Sequence, residues 1–373
     1  MAESKKKNHR KVEIMKIGIL TYHRSENYGA LLQAVALRSK LQEMGHDAYF
    51  IDYFPDYHVK LYKPFSVDVC SQYSVKGQMA YLLEYPLRKK RHHVFQDFIQ
   101  KEIVPYCRRM DEEFDVVFYG SDQIWRKQEA LGDFNPVYFG KNEIPAKIHA
   151  SYAASMGVMN LNDEEKKKLK ELVTHLKYVS VREVALKELI EGLGVKDIRL
   201  DIDPTLLLTN SEWNHTIHST LSFKKEFVLI YDLQLNCFDR DAIEEFAKKR
   251  NLDVIRLVGI ARKFPTYYCR SLDGPYEFLS LIRAAKYVFT SSYHGLVFSL
   301  INKKQFFTSF NNNAVRAESI LSYLGLSERM LSLRTANIPE SGDIDYNQVS
   351  HKMDEARKES VSYIKTVLES ARL

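Results

Sequence analysis

Short apolar runs alternate along this chain with stretches whose apolar residues recur every three or four positions. Residues 15–20 form one such run; after a polar turn, Leu31, Leu32, Val35, Leu37 and Leu41 fall at helical spacing until Gly45, and residues 48–51 are apolar again. This is a βαβ unit, with a ligand-facing loop at the carboxyl end of its first strand. The rhythm continues with predicted strands at 115–119, 147–153, 178–181 and 198–203 and a charged amphipathic helix at 163–177. A mostly polar stretch, 208–225, reads as a domain crossing. Beyond it the pattern restarts: strands at 227–231, 254–258, 287–290 and 305–308, and helices at 239–249, 276–285, 294–301 and 315–324. From Tyr346 onward the pattern predicts one long polar helix that packs back across the first half.

The expected architecture is therefore α/β, with two Rossmann-like domains facing a central cleft. The first domain takes residues 1–208, the second 209–345, and the terminal helix 346–373. Residues 55–105 interrupt the first domain as a Tyr-rich, basic insertion or lid, with one helix predicted over 89–101 from Val94, Phe95, Phe98 and Ile99.

Polar residues cluster where strands end. The loop after the first strand holds Asn27, Tyr28 and Gly29 and lacks a G-x-G-x-x-G pattern, which argues against an ordinary dinucleotide site. After the 115–119 strand come Gly120, Ser121 and Asp122; Gly120 lets the chain turn, and Asp122 is either a cleft-facing carboxylate or a helix cap. Arg182 follows the 178–181 strand, where its guanidinium can meet a carboxylate or phosphate, or else pair with a nearby acid. The sharpest junction is Thr290-Ser-Ser-Tyr-His-Gly295. Ser291 and Ser292 are good N-cap residues, so the positive end of the new helix faces the sheet edge with His294 in its first turn. Such an end favours an anion; the duller reading is that His294 only caps or packs.

Composition narrows this little. At 373 residues the chain exceeds a single core, and 45% hydrophobic with 27% charged residues is ordinary for a soluble protein. The net charge of +6, partly from Lys5 to Lys11, leaves room for weak attraction to anionic lipid but shows no basic, aromatic-interleaved face for nucleic acid. Four scattered cysteines point to a reducing compartment, and neither a metal-ligand cluster nor a membrane-length apolar run is visible. A cytoplasmic location is expected.

Taken in order, Ile17-Gly-Ile-Leu-Thr21, Asn27-Tyr-Gly-Ala30, Gly120-Ser-Asp-Gln-Ile-Trp125, Ser180-Val-Arg-Glu183, Asp203-Pro-Thr-Leu206 and Thr290-Ser-Ser-Tyr-His-Gly295 resemble the polysaccharide pyruvyl transferase family over about residues 15–325. The resemblance implies a GT-B-like pair of Rossmann domains and transfer of a pyruvyl group from phosphoenolpyruvate onto a sugar as a ketal. The acceptor would be a lipid-linked or nucleotide-linked glycan precursor of a surface polysaccharide, handled in the cytoplasm or at the inner face of the membrane, with no cofactor beyond the donor. The family's histidine matches His294 and its S-x-R-E arginine matches Arg182; Asp122 is a second candidate for proton transfer. Asn27, Tyr28, Gly29, Gly120, Ser121, Ser291, Ser292 and Gly295 would line the substrates. Some members carry an arginine two residues before the histidine, where this chain has Ser292, so Arg316 is a further candidate for the donor. The rival readings are a nucleotide-sugar glycosyltransferase, for which Glu277 after Gly274-Pro-Tyr would hold the ribose, and a glycan-binding protein without turnover.

Overall fold

The computed structural model describes residues 13–372 apart from 142, 158, 219–220, 235, 260–267, 313 and 341. The basic run Lys5 to Lys11 lies outside the described residues. Two five-stranded parallel sheets organise the chain. In the first, β1 (Lys16–Leu20), β2 (Asp47–Ile51), β3 (Cys107–Arg108), β4 (Phe114–Tyr119) and β5 (Ala146–Ser151) run in the order β3-β2-β1-β4-β5. The short pair β6 (Ser180–Val181) and β7 (Arg199–Leu200) continues it beyond β5 through the bridges Ala150 to Tyr178 and Ala154 to Val181. The second sheet repeats the topology: β8 (Phe227–Tyr231), β9 (Asp253–Leu257), β10 (Cys269–Arg270), β11 (Tyr287–Thr290) and β12 (Gln305–Thr308) run β10-β9-β8-β11-β12. Both sheets are wholly parallel, so their central strands are buried on both faces and read as unbroken apolar runs rather than alternating ones.

The helices that matter for the cleft begin at strand ends. α1 (Tyr28–Glu43) starts three residues before the first residue of its apolar pattern, Leu31, because the Asn27 side chain accepts from the amides of Gly29 and Ala30. Such a cap stabilises a helix by about 1 kcal/mol. Thirteen of its sixteen residues are buried, since it lies between the two domains. The insertion holds four helices rather than one: α2 (Asp56–Leu61), α3 (Val67–Ser71), α4 (Val75–Leu83) and α5 (Tyr85–Glu102). The first domain adds α6 (Asp163–Val173) and α7 (Val184–Gly192).

The expected linker 208–225 contains α8 (Asn210–Thr216), started by a reciprocal Thr209–Glu212 cap and fixed by Trp213, whose indole N–H donates to the Thr205 carbonyl at 2.9 Å. The second domain supplies α9 (Arg240–Lys249), α10 (Pro275–Ala284), α11 (Tyr293–Ile301) and α12 (Val315–Leu324). The long α13 (Tyr346–Ser370) crosses back to the first half. There Tyr363 donates to the Ser151 carbonyl at 2.8 Å, Arg357 to the Leu206 carbonyl at 2.8 Å, and the Ser360 hydroxyl accepts from the Ile202 amide. The predicted strand 198–203 shrinks to two residues; the Asp201 amide still donates to the Val181 carbonyl at 3.0 Å, and Asp203 then caps the short turn that starts at Pro204.

Candidate active site

The carboxyl ends of both sheets open on one cleft of 340 Å³ between the domains. The second domain contributes the β11–α11 junction. Ser292 caps α11 by accepting from the Gly295 amide, and the first-turn amides, Tyr293 and His294, belong to those that no helix carbonyl can accept from. Ser291 and Ser292 both line the cleft, but Ser291 is held by Asp232, to which it donates at 2.7 Å. Gly295 does not face the cleft: a Cβ there would strike Thr290 and Tyr231, so the glycine lets α11 seat on the sheet.

His294 stands at the centre. Its Nε2 lies 3.3 Å from Asp203 Oδ2, and the same carboxylate oxygen is bound by the Arg182 guanidinium. The other carboxylate oxygen accepts from the Thr205 amide at 2.9 Å and its hydroxyl at 2.6 Å. Burial alone would raise the Asp203 pKa, but His294 and Arg182 outweigh it and hold the carboxyl far below the usual range. Nδ1 of His294, the ring nitrogen turned away from Asp203, lies over Gly29, where any Cβ would collide with the imidazole. Gly29 therefore makes room for the histidine instead of contacting a ligand.

Arg182 takes the second of its two expected roles, as a buried partner of Asp203. Its side chain is only 2% exposed, it is absent from the cleft lining, and its Nη2 lies 3.9 Å from Asp122. Burial works against its charge; Asp203, foremost among the acids around it, more than offsets this and raises its pKa. Arg316 does line the cleft, and it and Arg182 each sit 5.0 Å from the Tyr293 ring centre. Burial and the neighbouring Arg182 charge lower the Arg316 pKa, and its Nε is buried without a hydrogen-bond partner.

In the first domain, Asn27 and Asp122 line the cleft. Asp122 adopts φ 67°, and one of its side-chain oxygens already accepts from the Gln123 amide. The remaining expected contacts are structural. Gly120, at φ 127°, has no space for a Cβ because the Tyr152 carbonyl fills it, and Ser121 is fully buried, donating to the Ala153 carbonyl at 2.6 Å. Tyr28 is buried against the second domain, stacked 4.8 Å from Phe278 and donating to the Asp273 carbonyl at 2.7 Å.

Several groups of the site are not evident from the sequence pattern. Asp203 was marked only by its Asp-Pro-Thr turn. Arg126, His58, Tyr62 and Gln234 line the cleft from loops and from the insertion, where no periodicity points at them. Burial, and then the nearby Arg126 charge, pushes His58 down to about 4. The fold also gathers His23, Asp52 and Cys107 into one compact cluster, correcting the expectation that no such group exists. There Arg24 bonds to Asp52 at 2.8 Å and approaches the Cys107 sulfur at 4.0 Å, so a guanidinium already supplies positive charge. Glu277, the residue that would hold a ribose in the glycosyltransferase reading, accepts from the Gly274 amide at 2.9 Å as a helix-start carboxylate.

The profile of the polysaccharide pyruvyl transferase family matches residues 27–313, a span that includes the Asn27 cap, Asp122, Arg182, Asp203 and His294. The chain belongs to this family. It is accordingly a transferase. As a polysaccharide pyruvyl transferase family member it joins two Rossmann-like domains across one cleft, the GT-B-like layout. A comparison with curated proteins finds no match.

Among solved structures, UDP-GlcNAc 2-epimerase from Methanocaldococcus jannaschii is 12% identical, with TM-score 0.47, covering 91% of this chain and 92% of that one. The glycosyltransferase SnogD from Streptomyces nogalater is 12% identical, with TM-score 0.40 and coverage of 95% and 100%. UGT89C1 from Arabidopsis thaliana, complexed with UDP-L-rhamnose, is 9% identical, with TM-score 0.48 and coverage of 97% and 100%. No helix among the described residues is long and apolar enough to cross a membrane.

Proposed function

We propose that the cleft takes phosphoenolpyruvate as donor and transfers its pyruvyl group to two hydroxyls of a glycan, forming a ketal. The observation that carries this reading is the convergence of the α11 amino end, Arg316 and the Asp203-bound His294 on one small cavity. A carboxylate and a phosphate on a three-carbon donor match a helix end and a buried guanidinium with an unfilled N–H. Arg126 adds a second cation on the opposite wall.

In the reaction two C–O bonds form between the sugar oxygens and the donor C2, and the C2–O bond to phosphate breaks. One hydroxyl proton ends on the methylene carbon, which becomes the methyl; the other leaves with phosphate. Nε2 of His294 faces Asp203, so Nδ1, on the other side of the ring, is the nitrogen assigned to accept a hydroxyl proton. Arg182 acts through Asp203 as a positioning residue, and Asp122 is the carboxylate that lines the cleft. The acceptor is a lipid-linked or nucleotide-linked precursor, reached from the cytoplasmic side.

Calorimetric titration with phosphoenolpyruvate, and phosphate release with a panel of glycan diols, test the reading. Arg316→Gln is expected to weaken donor binding by roughly 10- to 100-fold, the loss of a charge-assisted contact. Unchanged donor binding in Arg316→Gln, or binding of a nucleotide sugar in place of phosphoenolpyruvate, would reject it.

A further inference from the structure

The insertion carries a surface that the cleft does not explain. Helix α4 reads Val-Lys-Gly-Gln-Met-Ala-Tyr-Leu-Leu, an apolar sequence, yet neither it nor α3 has a single buried residue. Val75, Met79, Leu82 and Leu83 stand at i, i+4, i+7 and i+8 and so share one stripe; Val75 is 75% exposed and Leu83 79%. Eleven of the twenty exposed large hydrophobic residues among those described fall between Val59 and Tyr85, which makes this a patch rather than the usual scatter. The other side of α4 is fastened: Tyr81 accepts from the Ser66 amide at 3.2 Å and lies 3.7 Å under the Arg88 guanidinium. The outward stripe is thus presented by a helix held in place.

Charge indicates what covers it. Lys60, Lys63, Lys76, Lys89 and Lys90 are all exposed on the same insertion, against the exposed acids Asp56 and Asp68, while Glu84 is paired with Arg88 at 3.5 Å. An apolar stripe edged by lysines suits the interface of a bilayer bearing anionic headgroups, where the apolar face enters the acyl boundary and each lysine adds attraction. A second copy of the chain fits less well, since a two-fold contact would bring the same lysines together. The patch also reaches the cleft, because Leu61 and Tyr62 at the end of α2 are part of its lining.

We infer that the α3–α4 face docks on an anionic lipid surface and sets the cleft mouth at the membrane. Its purpose, to present the sugar of a lipid-linked acceptor, rests on the function proposed above; the docking itself does not require turnover. Full-length protein is sedimented with vesicles of phosphatidylcholine alone or mixed with phosphatidylglycerol. Co-sedimentation is expected only with the mixed vesicles and should fall as salt rises. The double variant Leu82→Glu/Leu83→Glu, which alters no buried contact, is expected to bind at least about tenfold more weakly. Lys76→Glu/Lys89→Glu should weaken binding to mixed vesicles as well, while both variants retain thermal stability and turnover on a soluble acceptor. Wild-type protein left in the supernatant, or vesicle binding undiminished in Leu82→Glu/Leu83→Glu, would overturn the inference. So would a concentration-dependent dimer that the leucine variant abolishes in the absence of lipid. Vesicle binding by a protein that fails to transfer pyruvate would sustain the docking face and reject only the reaction.

Discussion

The floor of the cleft is built from charged groups that answer one another, whereas the wall around His58 is mainly aromatic, with Arg126 beside it. On the floor, Asp203 is gripped by Arg182, His294 and Thr205, and Arg316 keeps an unfilled donor beside them. On the wall, His58 is ringed by Tyr22 at 4.5 Å and Tyr57 at 4.6 Å, with Tyr62 next to the opening. A set of fixed charges with residual capacity recognises a small, multiply charged group, because its hydrogen bonds are already oriented before the group arrives. An aromatic wall with few charges recognises the flat, uncharged face of a larger molecule. On the proposed reaction, the floor would take the donor and the wall the acceptor.

If that division is right, removing the floor's proton carrier has the largest effect. His294→Ala should lower kcat by about 10²–10⁴, the usual worth of a positioned acid or base, while the chain stays folded. Phosphate release with phosphoenolpyruvate and acceptor checks this, and full activity in the variant would dissolve the distinction between floor and wall. Next comes Gly29→Ala. Its new methyl group would collide with the imidazole from the first-domain side, pushing His294 off Asp203 without touching the charges themselves. Activity is expected to fall roughly 100-fold, as for a reacting group misplaced by about an ångström, with a stability loss of about 1–3 kcal/mol from overpacking. The wall should respond differently. Tyr62→Ala is expected to raise the acceptor KM roughly tenfold through lost ring contacts and to leave calorimetric binding of phosphoenolpyruvate unchanged. A matching loss of donor affinity would mean that both substrates share the wall.

Much of this layout follows from chain pattern. The apolar runs that become β1, β4, β8 and β11 are short, bounded by polar turns and buried on both faces, which is how strands of a parallel sheet read. The Ser-Ser-x-His junction is similarly local: cap, turn and histidine lie within a few residues. What pattern could not supply is contact across the fold. Arg182 and Asp203 are twenty-one residues apart and meet only because β6 and β7 pair, so a guanidinium that reads as a ligand turns out to hold a carboxylate. Gly29 reads as a turn residue, yet the space it leaves is filled by His294 from the other domain. Tyr28 reads as a cleft residue and is instead pressed against Phe278. The insertion was visible as Tyr-rich and basic, but its short helices have no long apolar period to announce them, and their exposure is a property of packing alone.

The smallest expected effect concerns the wall's imidazole, and it separates wall from floor by pH. His58 is buried and held neutral, its pKa pushed down from 6.5 to about 4 by burial first and by Arg126 second, with Asp122 acting in the opposite sense. In the unfolded chain the same ring takes up a proton as pH falls through about 6.5. Between those values the unfolded state binds more protons than the folded one, so stability rises with pH in this window and is lost on acidification from about 6.5 down to about 4. Asp203 behaves otherwise: its folded pKa lies far below the ordinary carboxylate range, so its contribution is intact in the upper part of that window and is lost as the pH falls into and below the range where an unfolded aspartate takes up a proton. Replacing the imidazole by a ring that cannot titrate, His58→Phe, should flatten the pH dependence of the denaturant midpoint between about 6.5 and about 4 and leave the decline at lower pH in place. A variant whose midpoint falls across that window as steeply as the wild type's would show that His58 is not held neutral, and the wall would then carry charge of its own.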